Sequence, residues 1–171
     1  TGVNDAPTAV DDLRVVDQNV VTSENPAGVL ANDVDVDISD ILAVTKLGAA
    51  NLVAGTSTTV TTEGASLTLN DDGSFTYDPT TATDLIALAA GDIVLDSVQY
   101  TMTDSHGPTS TATLTFEVNG VNDTPIAVDD SYAIGQDQVL NVDPLGLMDN
   151  DSDPEGHDFL VTDFGTTAGG F

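Results

Sequence analysis

The chain has 171 residues and carries 25 Asp and 4 Glu against one Arg and one Lys, a formal net charge of −27. Arg14 and Lys46 cannot displace counterions from phosphates or hold an anionic surface, and no apolar run reaches about 18 residues, so nucleic acid and direct membrane insertion are excluded as partners. Hydrophobic residues at 40% with a mean hydropathy of +0.03 describe a chain with a packed core, not an acidic disordered tail.

Cysteine is absent, which removes disulfides and thiolate metal sites. The 24 Thr and 20 Val suit a pleated, half-buried surface, and the preference for Asp over Glu suits turns rather than helices. Composition therefore predicts an all-β protein with acidic loops. The start at Thr1 reads as a fragment of something larger.

In chain order, short strands are expected at residues 13–16, 41–46 and 58–62. Leu67 and Leu69 precede, and Phe75 and Tyr77 follow, the turn Asn70-Asp71-Asp72-Gly73, an acidic Asp-Gly connection of a hairpin. Residues 82–90 alone have helical spacing and predict one or two turns. Val98, Tyr100 and Met102 alternate with Gln99, Thr101 and Thr103. Ala112, Leu114, Phe116 and Val118 then alternate with Thr111, Thr113, Thr115 and Glu117, each strand having one buried face. Seven or more short strands between Gly, Asp, Asn and Pro turns imply a Greek-key β-sandwich of immunoglobulin or cadherin type.

The chain also repeats itself. Residues 2–12 read GVNDAPTAVDD and residues 120–130 read GVNDTPIAVDD, an offset of 118. The register continues without insertion through Gly28 and Gly146, Asn32-Asp33 and Asn150-Asp151, Asp35 and Asp153, Asp40 and Asp158, and Leu42 and Leu160. The expected organisation is a tandem repeat: one complete unit over 1–119 and the N-terminal part of a second over 120–171.

The acids cluster at two places in each repeat. One is the linker Asn4-Asp5, repeated as Asn122-Asp123; the other is the loop Asp33, Asp35, Asp37 and Asp40, repeated as Asp151, Asp153, Glu155 and Asp158. Like charges at this spacing repel, and folding them together costs stability unless a cation joins them. Calcium fits, being a hard ion that takes six to eight oxygens in a flexible geometry; Mg²⁺ demands a stricter octahedron and fits less well. An EF-hand is excluded, because counting from Asp33 its glycine and glutamate positions hold Ile38 and Val44.

These residues match a known pattern. The run GVNDxPxAVDD, the Asp-rich loop, LNDDGSFTY at residues 69–77 and YTMTDSHG at residues 100–107 resemble the VCBS and bacterial cadherin-like repeats of giant RTX-type surface adhesins. The resemblance implies calcium at the junctions between neighbouring repeats of the same chain. It implies ligands at Asn122 and Asp123, with Asp151 and Asp153 from the following repeat and Asp104 from the preceding one. Asn4, Asp5, Asp33 and Asp35 correspond in the first repeat. It also implies an extracellular, bacterial cell-surface location and a role in cell adhesion and biofilm.

Catalysis is not expected. His106 and His157 stand alone in acidic turns, no GxSxG motif occurs, and paired carboxylates for glycoside hydrolysis lack an aromatic platform. The sequence therefore reads as a calcium-rigidified extender repeat that is structural rather than catalytic. The alternatives are a subunit of an extracellular filament or surface layer, self-associating through the partial repeat, and a calcium-dependent carbohydrate-binding module.

Overall fold

The computed structural model describes residues 2–142 and 145–162; the rest of the expected second repeat, residues 163–171, lies outside them. The chain divides into two compact units, Thr1–Val121 and Asn122–Phe171.

Nine strands in two sheets build the first unit: β1 (Asp12–Asp17), β2 (Thr22–Glu24), β3 (Ala43–Leu47), β4 (Ala50–Asn51), β5 (Thr56–Val60), β6 (Ser66–Asn70), β7 (Phe75–Asp78), β8 (Ile93–Thr103) and β9 (Thr109–Asn119). One sheet runs β1-β9-β8-β3-β4 and the other β2-β7-β6-β5. Strand β1 pairs parallel with β9, while β8 and β9 form an antiparallel hairpin from Ile93↔Asn119 to Thr103↔Thr109. At about 3.3 Å per residue, this 11-residue pair spans the sandwich from pole to pole.

The alternation read from the sequence sets the inner faces. Leu114, Phe116 and Val118 are fully buried on β9, as are Tyr100 and Met102 on β8 and Leu67 and Leu69 on β6. Across the core Tyr77 stacks on Phe116 with centroids 3.7 Å apart, and Phe75 meets the same ring edge-on at 5.7 Å. The turn between β6 and β7 needs glycine: Gly73 has φ +82, and a Cβ there would lie 2.0 Å from the Ala27 carbonyl oxygen.

Residues 82–90 hold one helical turn, α1 (Thr83–Ile86), as the spacing predicts; Asp92 N bonds Ala89 O at 2.9 Å and Ala89 N bonds the Asp92 carboxylate at 3.2 Å, closing a turn where helix would continue. One strand differs in its bounds. Strand β5 ends at Val60 rather than residue 62, because the hydroxyls of Thr61 and Thr62 turn inward to Asp96. Asp96 is fully buried in the core and also accepts from Glu63 N at 2.8 Å and Tyr77 OH at 2.8 Å. Four donors replace the water this carboxylate loses.

The second unit, Asn122–Phe171, has no strand among its described residues. Its order comes from local bonds that copy the first unit at the 118-residue offset. The bridge Thr8↔Val34 recurs as Ile126↔Ser152, and the helical turn Gly28–Leu30 recurs as Gly146–Met148. Its apolar residues are left open: Ile126 is 54% exposed and Leu160 71%.

Candidate metal centre

The acidic loop of the first unit follows the Gly28–Leu30 turn, and the bridge Thr8↔Val34 holds it against the incoming chain. From that bridge the even and odd loop residues part company. Val34, Val36 and Ile38 face solvent, whereas Asp33, Asp35 and Asp37 turn toward the body of the unit.

Asp35, Asp37 and Asp40 bring carboxylate oxygens within 4.8 Å of one another. Asp40 also lies in a second such group with Asp104 and His106 from the turn between β8 and β9. The linker joins this assembly. Asn4 Nδ2 donates to Asp104 Oδ2 at 2.9 Å, and Asp5 N donates to Asp37 Oδ2 at 2.8 Å. A polar cleft of about 150 Å³ opens between Gly2, Asn4, Asp37, Ser39, Asp40 and His106.

Each carboxylate is held in place by its own bonds. Asp104 Oδ1 accepts the amides of His106 and Gly107, both at 2.7 Å; burial pushes this carboxyl up, but those bonds and the one from Asn4 outweigh it and hold it below its ordinary value. Asp40 accepts from Ser105 Oγ at 2.8 Å and lies 3.0 Å from His106 Nδ1, and its side chain is 2% exposed. Its hydrogen bond and negative charge raise the His106 pKa. Asp35 Oδ1 accepts the Asp37 amide at 2.8 Å, while Asp35 Oδ2 is buried without a partner. A buried, unpaired carboxylate oxygen among other carboxylates is costly, and a cation is the ligand class that relieves it.

The sequence reading placed Asp33 among the ligands. The structure turns it elsewhere: Oδ1 accepts Val10 N at 2.7 Å and Oδ2 lies 3.3 Å from the Tyr100 hydroxyl, so Asp33 braces the chain entering β1 against β8. Burial raises its pKa against these two bonds. The pair that joins the cluster is thus Asp35 and Asp37. Asp104 was expected to serve the repeat that follows. Instead it bonds Asn4 of its own unit, at the opposite end of the β8–β9 hairpin from Val121, where the unit ends.

In the second unit the same bonds recur. Asp151 Oδ1 accepts Val128 N at 2.8 Å as Asp33 accepts Val10 N, and Glu155 Oε1 accepts Asp123 N at 2.8 Å as Asp37 accepts Asp5 N. Asn122 Nδ2 donates to Asp123 O as Asn4 does to Asp5 O. Asp153, Glu155 and His157 offer ligand atoms within 4.8 Å of one another, and Glu155 Oε2 is a second buried oxygen without a partner. Asp158 is exposed and belongs to none of these groups, although its match Asp40 does.

Sequence reasoning placed Glu155 in the acidic cluster without naming it a ligand, and read His106 and His157 as isolated loop residues. Their signals were present: His106 stands two residues after Asp104 in the tight turn that presents both, and His157 four residues after Asp153 on one loop. No helix among the described residues is long and apolar enough to cross a membrane. None of the curated proteins compared with the chain matches it. The family model of the bacterial cadherin-like domain matches residues 4–120.

Proposed function

Because the chain belongs to the bacterial cadherin-like family, a structural and adhesion-type fold, we propose that it is an extender segment of a large bacterial surface adhesin whose acidic loops take up calcium. The observation that carries this reading is the buried, unpartnered Asp35 Oδ2 set among Asp37 and Asp40. The donor set fits the ion: several carboxylates, one Asn side chain and nearby backbone carbonyls supply the hard oxygens calcium prefers.

Asn4, Asp35, Asp37, Asp40 and Asp104 would hold the ion in the first unit; Asn122, Asp153 and Glu155 are the counterparts of Asn4, Asp35 and Asp37 in the second. Calcium supplies positive charge that cancels the mutual repulsion of these groups. The chain's own bonds do the rest. Asn4 to Asp104 and Asp5 to Asp37 tie the linker to the pole of the unit it leads into. Charge cancellation strengthens that tie, and a stiff linker turns successive repeats into a rod that holds an adhesive tip away from the cell. A role in biofilm and an extracellular location follow from the same reading.

The test is thermal unfolding in excess Ca²⁺ and in EDTA. Calcium at about 100 times its dissociation constant adds roughly 2.7 kcal/mol for each site. The melting temperature should rise in calcium for the native chain and not for Asp35→Asn/Asp37→Asn; superimposable native curves would remove the reading.

One observation favours the filament or surface-layer reading as second choice. In the second unit an open cleft of about 290 Å³ is lined by Pro125, Ile126, Met148, Phe159 and Leu160, an apolar surface of the kind that binds a partner. Sedimentation across a concentration series separates the two readings, since an extender stays monomeric.

A further inference from the structure

The acidic loops share a feature for which calcium has no use: each carries an imidazole beside its carboxylates. His106 comes from the β8–β9 turn, with Nδ1 3.0 Å from Asp40 Oδ2. His157 comes from the loop itself, with Nδ1 3.6 Å from Asp153 Oδ1. The residue 118 positions before His157 is Ser39, so the repeat does not copy the histidine; two unrelated positions deliver the same donor. In the second unit Glu155, whose Oε2 is buried without a partner, belongs to the same group as His157, and the Asp153 side chain is only 6% exposed.

We infer that Asp153, Glu155 and His157 form a mixed oxygen and nitrogen site for a divalent transition ion of the zinc class, and that Asp40, Asp104 and His106 form a second. The two carboxylates and one imidazole are a donor set that zinc accepts, with water completing four-coordination. Calcium gains little from the nitrogen and prefers six to eight oxygens. Imidazole therefore shifts selectivity away from calcium and toward divalent transition ions such as zinc, cobalt and nickel. The Asp40 group shares that aspartate with the Asp35 and Asp37 oxygens, so in the first unit zinc and calcium compete for one carboxylate. This inference rests on reading the loops as cation sites, and it assigns them a second class of ion.

The experiment titrates the whole chain with Zn²⁺, with Co²⁺ as a coloured substitute, and separately with Ca²⁺, following stoichiometry by native mass spectrometry. Both imidazoles are more than half exposed, so His106→Asn and His157→Asn leave the core untouched. Each variant should weaken zinc at its own unit by about 10- to 100-fold or more while keeping the calcium response. The double variant should lose the nitrogen-ligated cobalt spectrum. Zinc affinity unchanged in the double variant overturns the inference. A histidine-dependent zinc site in a chain indifferent to calcium sustains it and removes the calcium reading instead.

Discussion

Asp12 offers a sharp quantitative test of the fold's electrostatics. Its carboxylate sits at the inner edge of β1, 2% exposed, accepting from Tyr100 OH at 3.0 Å and lying 3.4 Å from Arg14 Nη1. Burial pushes its pKa from 3.8 to about 6, against the lowering effects of Tyr100 and Arg14. Because the value is raised on folding, the group's stabilising contribution is complete below pH 3.8 and is lost as pH rises through about 6. Two units of difference correspond to at most about 3 kcal/mol against the ionised form. Asp12→Asn keeps an acceptor for Tyr100 and removes the charge, and Arg14 retains its pairing with Glu24. That difference already carries the Arg14 and Tyr100 effects, and with partial solvent screening the variant should be more stable than the native chain by about 1–2 kcal/mol at pH 7.5. The gain should vanish near pH 4. Denaturant unfolding followed by circular dichroism in EDTA, compared at the two pH values, reads this difference while cancelling the other carboxylates. A gain equal at both pH values, or a loss at pH 7.5, would refute the reasoning.

Asp96→Ala strands the donors of Thr61, Thr62, Glu63 and Tyr77 in the core and should cost about 3 kcal/mol or more, whereas Tyr77→Phe, removing one donor, should cost about 1–2 kcal/mol in the same unfolding assay. Leu114→Ala, in the fully buried row of β9, should cost about 2–5 kcal/mol by opening a cavity. Asp37→Ala should be neutral or stabilising in EDTA, because a like charge is removed, and should lose most of the calcium response; a uniform loss in both buffers contradicts its place in the cluster. Asp40→Ala should weaken ion binding and Asp158→Ala should not, as titration calorimetry would show, since only Asp40 belongs to a ligand group.

Much of the sandwich was legible because β8 and β9 alternate strictly, so period-2 reading put Tyr100, Met102, Leu114 and Phe116 inside. Strand β2 was missed because its three residues, Thr22–Glu24, carry no buried apolar side chain and exist through pairing with β7. The helical turn within residues 82–90 was legible from its apolar spacing, but the Ala89–Asp92 turn bonds that stop it at Ile86 were not. In the acidic loop the composition announced a cation site, but a shift of two residues along one face of the loop decides which carboxylates join it. Only the bonds of Asp33 to Val10 and Tyr100 show that the pair is Asp35 and Asp37. Likewise the sequence contained Asp104 and Asn4 without showing that they meet, since 100 residues separate them.

The central claim is that calcium binds where the linker meets the loop carboxylates of its own unit. Residue-resolved amide spectra recorded while Ca²⁺ is added test it most directly. The account predicts saturable shifts concentrated at the amides of Asp5, Asp37, His106 and Gly107, and at Asp123 and Glu155 in the second unit. Shifts that fail to saturate, or that spread evenly over acidic residues such as Asp71, Asp84 and Asp129, would contradict it.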